Sequence, residues 1–187
     1  MEQYIINADI WLFQFLNGKA IFSFLDIIMP FITEVRTMIP LYIGLFIWLL
    51  WKGGLRGRLA ALALALCILC ADTLNTQFIK PMVGRQRPCQ THLQVRSLIP
   101  CGPGQSFPST HAVNNACAAI LLGLLYRRMR LPAGIIAIMI GYSRIYVGVH
   151  YPLDIAAGFA EGAAIGALGY WAVSRAENKI MESKKIK

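Results

Sequence analysis

Charge is scarce in this chain. Of its 187 residues only 14% are Asp, Glu, Lys or Arg, and nine in all are acidic. Soluble domains carry about 25% charged residues, so the composition excludes an ordinary water-soluble domain. The few acids form no carboxylate cluster that would hold magnesium, and no metal or cofactor is expected. Cysteine is thin too, at five residues. Cys67 and Cys70 make a C-x2-C, but it lies inside an apolar run, where small apolar filler explains it. No paired motif for zinc follows. Residues 1–18 lack a basic start and a small-residue cleavage site, so no signal peptide is expected. Internal repeats and low-complexity stretches are absent as well.

What is present is apolar. The chain is 57% hydrophobic, with a mean hydropathy of +0.55. The net charge of +9 falls largely in short clusters between apolar runs. That is the pattern of cytoplasmic membrane loops, not of a nucleic-acid surface. Apolar runs cover about 37–51, 58–79, 109–126, 132–149 and 151–173, with a weaker one within 5–33. Runs of about 20 residues cross a bilayer as helices, because lipid leaves no open backbone group satisfied. The expectation is an all-α polytopic membrane bundle of about six spans, forming a single domain over 1–187. Its amphipathic N-terminal part should lie at the membrane interface. Gly158, Gly162 and Gly166 follow a small-xxx-small spacing that suits close helix packing.

Loops 52–58 and 127–131 and the tail after Ser174 are basic and fall on one side, which the positive-inside rule makes cytoplasmic. The opposite face collects the unusual polar residues. Lys80 ends the third span and Arg87 follows in the loop. Ser109, Thr110 and His111 open the fourth span. Arg144 closes the fifth, and His150 and Asp154 open the sixth. His92 lies in the same loop region without an evident partner. Charges at membrane depth are costly and usually face a protein interior or mark a working site. Taken singly, Lys80 and Arg87 also read as snorkelling anchors. His150 with Asp154 also reads as a structural pair, Arg144 with Asp154 as an interhelical ion pair, and His111 as a helix-end hydrogen bond. Convergence on one face favours chemistry. Lys80, Arg87 and Arg144 suit a dianionic phosphate, as does the helix start at Ser109. His150 and Asp154, spaced i,i+4, would share a helix face. The carboxylate would then fix the imidazole for nucleophilic attack, with His111 as proton donor.

KPMVGRQRP (Lys80 to Pro88), PSTH (Pro108 to His111) and SRIYVGVHYPLD (Ser143 to Asp154) resemble three motifs. They are those of the type-2 phosphatidic-acid phosphatase superfamily: K-x6-RP, PSGH and SR-x5-H-x3-D. The motifs stand in the family's order, and Thr110 departs from the usual Gly. The resemblance implies phosphate held by Lys80, Arg87, Ser109, Thr110 and Arg144. It implies a phosphohistidine at His150, oriented by Asp154, with His111 protonating the leaving group. A lipid-phosphate phosphatase of a bacterial inner membrane is expected, its site facing the periplasm and its partners limited to substrate and membrane lipids. Undecaprenyl pyrophosphate, phosphatidylglycerophosphate and phosphatidic acid are candidate substrates. A lipid A 1-phosphatase and a lipid-to-lipid phosphotransferase are alternatives, and a transporter of phosphate-bearing solutes is a reading of another class. Oligomeric state is left open. Cys89 and Cys101 are the only cysteines outside the expected spans, and in a periplasmic loop a bridge between them is permitted.

Overall fold

The computed structural model describes residues 2–91 and 94–185 and is all-helical, with no strand among the described residues. His92 lies outside them. The helices are α1 (Glu2–Gly18), α2 (Leu25–Thr33), α3 (Val35–Trp51), α4 (Gly54–Leu74), α5 (Lys80–Val83), α6 (Thr110–Leu125), α7 (Arg130–Tyr146) and α8 (Pro152–Lys185).

The expected weak run within 5–33 is two helices, not one. α2 has nine residues, a rise of about 14 Å, less than half of a ~30 Å hydrocarbon core. It meets α3 at a 60° bend. Glu34 causes the break. Its backbone is extended (φ −77°, ψ 121°), and its side chain accepts the Arg36 amide to start α3. Thr37 Oγ1 also bonds the Glu34 carbonyl at 2.7 Å.

α1 corrects the interfacial expectation in part. Its outer face is exposed at Tyr4, Trp11 and Phe15, while Asp9, Phe13 and Asn17 on its inner face are buried. Aromatic residues on such an outer face suit a headgroup region. The inner face belongs to the core.

α3 and α4 form a tight hairpin. A Cβ on Gly57 would stand 2.2 Å from the Leu49 carbonyl oxygen. α4 and α5 are one continuous helix, Gly54–Val83, interrupted by a π-helical turn at Asn75–Ile79. Such turns shift the residues beyond them around the axis and often mark working sites. Here Lys80 follows directly and is 8% exposed. Gly84, at φ +64°, ends the helix, a left-handed conformation that glycine adopts without steric cost.

α6 and α8 pack backbone against backbone. A Cβ on Gly158, Gly162 or Gly166 would stand 2.8, 2.2 or 2.5 Å from the carbonyl oxygens of Ser109, Val113 and Cys117. The small-residue stripe therefore sets how closely the two helix starts approach. α8 runs on to Lys185, so the basic tail is helical as far as that residue.

Large apolar side chains face outward along the bundle, among them Leu62, Leu66, Leu69, Ile138, Leu168 and Trp171. A water-soluble chain rarely leaves so much apolar surface open. By length and composition alone, Gly54–Val83 can cross a membrane, and the bent α2–α3 pair passes the same test jointly.

Candidate active site

The expected site residues gather at one end of the bundle, where α5 ends, α6 and α8 begin and α7 ends. His150 is 2% exposed and Asp154 is fully buried. His150 does not lie on a helix, as the i,i+4 spacing suggested. α8 starts at Pro152, and His150 precedes it in the α7–α8 connection. The pair meets for another reason. Asp154 sits in the first turn of α8 and folds back, its Oδ2 accepting the Tyr151 amide at 2.8 Å. That satisfies an orphan helix-start donor. It also leaves Oδ2 at 3.3 Å from His150 Nδ1.

The partners fix the imidazole's tautomer. Carboxylates only accept and arginines only donate. Nδ1 therefore carries the proton toward Asp154, and Nε2 turns its lone pair toward Arg87 Nη1 at 3.0 Å. Burial lowers the proton affinity of the His150 ring well below its usual range, to about 4. A neutral ring with an unprotonated Nε2 can act as base or nucleophile.

Arg87 Nη1 also donates to the Val149 carbonyl at 3.3 Å. Lys80 Nζ donates to the carbonyls of Pro108 at 2.7 Å and Gln105 at 3.1 Å, so it braces the loop before α6. Arg144 Nη1 donates to Thr33 Oγ1 at 2.8 Å. It does not pair with Asp154, so the interhelical ion pair between them is absent.

Ser109 stands at the N-cap of α6, yet its side chain makes no capping bond. Its Oγ is buried without a protein partner, and so are Nε of Arg87 and Nε of Arg144. Thr110 and His111 open α6, where the first amides have no intrahelical acceptor. These donors from three segments suit the oxygens of a phosphate. Among the described residues no group of three His, Cys, Asp or Glu side chains is placed to hold a metal ion.

Sequence reasoning missed four residues here. Ser106 Oγ donates a short hydrogen bond to Asp154 Oδ2 and stands 3.3 Å from His150 Nδ1. Arg85 Nη1 pairs with Asp154 Oδ1 at 2.8 Å. Asp9 of α1 pairs with Arg85 Nη2 at 2.5 Å, and Thr33 holds Arg144. Only Arg85 lay inside a quoted motif. Cys89 and Cys101 form a disulfide with Cα atoms 5.9 Å apart, closing the loop that follows Arg87.

The chain is similar to known proteins both in sequence and in fold. The chain is 35% identical to a lipid A 4'-phosphatase of Bacteroides thetaiotaomicron over 182 residues, covering 91% of this chain and 77% of the relative. It is 34% identical to an undecaprenyl-diphosphatase of Bacillus subtilis over 148 residues, 78% of this chain and 74% of the relative. In fold it resembles the transmembrane PAP2-type phosphatidylglycerolphosphate phosphatase of Bacillus subtilis. The TM-score is 0.68 at 24% identity, over 95% of this chain and 88% of that one. It also resembles LpxE of Aquifex aeolicus, with a TM-score of 0.62 at 27% identity over 86% and 93% of the two chains. A family profile described as the PAP2 superfamily matches residues 57–178, from the start of α4 to the last turns of α8. On that match and those identities, this integral membrane protein belongs to the PAP2 superfamily.

Proposed function

We propose that the chain, as one integral-membrane domain over 1–187, removes a terminal phosphate from a membrane lipid through a phosphohistidine at His150. The observation that carries this reading is the His150 Nε2 lone pair facing Arg87 at 3.0 Å, beside the unpartnered donors of Ser109 and Arg144. Lys80, Arg87, Arg144, Ser109 and the amides of Thr110 and His111 would bind the phosphate oxygens. Nε2 attacks phosphorus, the bond to the leaving oxygen breaks, and His111 gives that oxygen a proton. Water then attacks the phosphohistidine, His111 takes its proton, and inorganic phosphate leaves. Fixed cations stabilise the charge that develops in both steps.

An apolar groove of about 620 Å³ supports a lipid substrate. It begins at Thr110 and His111, runs between α3, α4, α6 and α7, and reaches Met129. We read α3, α4–α5, α6, α7 and α8 as crossing the membrane. α1 lies along the site face, because Asp9 at its middle and Asn17 near its C-terminal end both reach the α7–α8 region. The basic loops after α3 and α6 then face the cytoplasm and the site faces the periplasm of a bacterial inner membrane.

Isoprenoid and glycerolipid phosphates are the first choice of substrate. A lipid A phosphate is the second, favoured by the 35% identity to a lipid A 4'-phosphatase. A panel of labelled lipids tests this with purified protein in detergent. Release of free phosphate from one lipid class supports hydrolysis and names the class. Transfer of label to an acceptor lipid makes the chain a phosphotransferase. Neither outcome with any lipid overturns the reading.

A further inference from the structure

Asp9, Phe13 and Asn17 recur at four-residue spacing on α1, so they share one face of the helix. They are 4%, 0% and 1% exposed, and each meets the segment that carries His150. Asn17 Nδ2 donates to the Tyr146 carbonyl at 2.8 Å, at the end of α7. The Phe13 ring meets Tyr151 edge-on, with centroids 5.3 Å apart. Asp9 Oδ1 accepts the Leu153 amide at 2.8 Å, at the start of α8. Its Oδ2 accepts Arg85 Nη2 at 2.5 Å.

The Arg85 fork then continues inward. Nη1 donates to Asp154 Oδ1 at 2.8 Å, and the guanidinium lies 4.0 Å over the Tyr151 ring. Asp154 is thus held on both oxygens, by Arg85 on Oδ1 and by Ser106 and the Tyr151 amide on Oδ2. It cannot turn about its axis without losing a bond on each side. Two buried carboxylates share one guanidinium here. Burying charge is costly, and apolar contacts such as Phe13–Tyr151 would fasten α1 without it. The charged chain does what apolar contacts cannot, which is to bind the carboxylate itself and hold Asp154 in one orientation behind His150.

We propose that Asp9 and Arg85 are positioning residues. Through the chain Asp9–Arg85–Asp154, the N-terminal helix fixes the carboxylate that orients the His150 ring. The inference rests on the phosphatase reading, and it makes α1 part of the active centre although α1 lies outside residues 57–178.

The test uses the full chain in detergent. Asp9→Asn keeps the shape, and its Oδ1 can still accept the Leu153 amide, but its Nδ2 puts a donor where Arg85 Nη2 had an acceptor, so the bond to Arg85 is lost with the charge. We expect kcat to fall about tenfold with KM within about threefold. Asp9→Glu should recover part of the loss. Arg85→Lys keeps one charge without the fork and should also lower kcat. Phe13→Leu loosens α1 without touching the charges. It should lower the thermal midpoint at least as much as Asp9→Asn while leaving kcat near wild type. Wild-type kcat in Asp9→Asn overturns the proposal, as does a loss of kcat that follows thermal stability alike in Asp9→Asn and Phe13→Leu. If Asp9→Asn does not fold, Arg85→Lys carries the same comparison. Nitrogen-15 NMR of the His150 ring supplies a readout that needs no substrate. A fixed Nδ1–H tautomer in wild type and averaged tautomers in the charge variants support the proposal. The same signature in both overturns it, even should the wild type release no phosphate from any lipid and the phosphatase reading fail.

Discussion

Asp154 Oδ2 stands 3.3 Å from His150 Nδ1 while accepting the Tyr151 amide at 2.8 Å. One carboxylate oxygen therefore starts α8 and orients the histidine. Both partners are buried, so neither bond is shared with bulk water. Asp154→Asn can keep the helix-start bond through its Oδ1, but it offers no charge to His150. Its amide nitrogen would then face the Arg85 guanidinium, donor against donor, and the neutral amide oxygen left at Nδ1 would hold the ring tautomer less firmly. We expect phosphate release to fall by about a thousandfold, ~4 kcal/mol in barrier. The thermal midpoint should move by only a few degrees. His150→Ala should abolish release. Activity within about tenfold of wild type in His150→Ala, ~1.4 kcal/mol, excludes it as the nucleophile.

A second expectation concerns metal ions. Lys80, Arg87 and Arg144 supply the positive charge that a divalent ion would otherwise bring to phosphate. Phosphate release should be the same with and without EDTA. Vanadate, which adopts a trigonal-bipyramidal geometry, should inhibit. Activity that disappears in chelator and returns with one divalent ion contradicts the mechanism.

The motif residues were legible because their chemistry is incompatible with a lipid environment. Lys80, Arg87, Arg144, His150 and Asp154 stand out from apolar runs, and the runs themselves give the helices. What was hidden depends on where the chain turns. Arg85 is two residues from Arg87, and only the left-handed Gly84 and the bonds at Asp154 reveal that the two serve different partners. Asp9 lies 144 residues from the Leu153 amide it caps, and nothing local to α1 distinguishes it from a surface acid. Ser106 reads as an ordinary loop serine until its hydroxyl meets Asp154. The boundary at Glu34 falls between the two apolar runs read from the sequence, 5–33 and 37–51, but composition does not record that the helices on either side meet at a 60° bend. The i,i+4 spacing of His150 and Asp154 led to the right contact for the wrong reason, since the helix begins two residues after His150.

The disulfide can be tested by mass. Cys89 and Cys101 are 12 residues apart in sequence and bridge the loop after Arg87. In unreduced protein both thiols should resist alkylation, and reductant should expose them. Closing a loop of this size stabilises a fold by about 3 kcal/mol at most. Cys89→Ser with Cys101→Ser should therefore lower the thermal midpoint by several degrees. Full alkylation without reductant would show that packing alone orders this loop.

Sidedness can be read by cysteine labelling in a cysteine-free background. Gln94 and Arg128 are both exposed and lie in loops at opposite ends of the bundle. A cysteine at position 94 should react with an impermeant reagent applied to the outer surface of the inner membrane. One at position 128 should react only after the membrane is opened. The reverse pattern places the phosphatase site in the cytoplasm.

The covalent intermediate is the centre of the account, and trapping it is the most direct test. His111→Ala with a labelled phosphate ester of a good leaving group needs no acid for the first step but lacks the base for the second. Quenched in alkali during turnover, this protein should carry an acid-labile, alkali-stable label, and peptide mapping should assign it to His150. Label on any other residue, or equal labelling of a chain carrying both His111→Ala and His150→Ala, contradicts the mechanism.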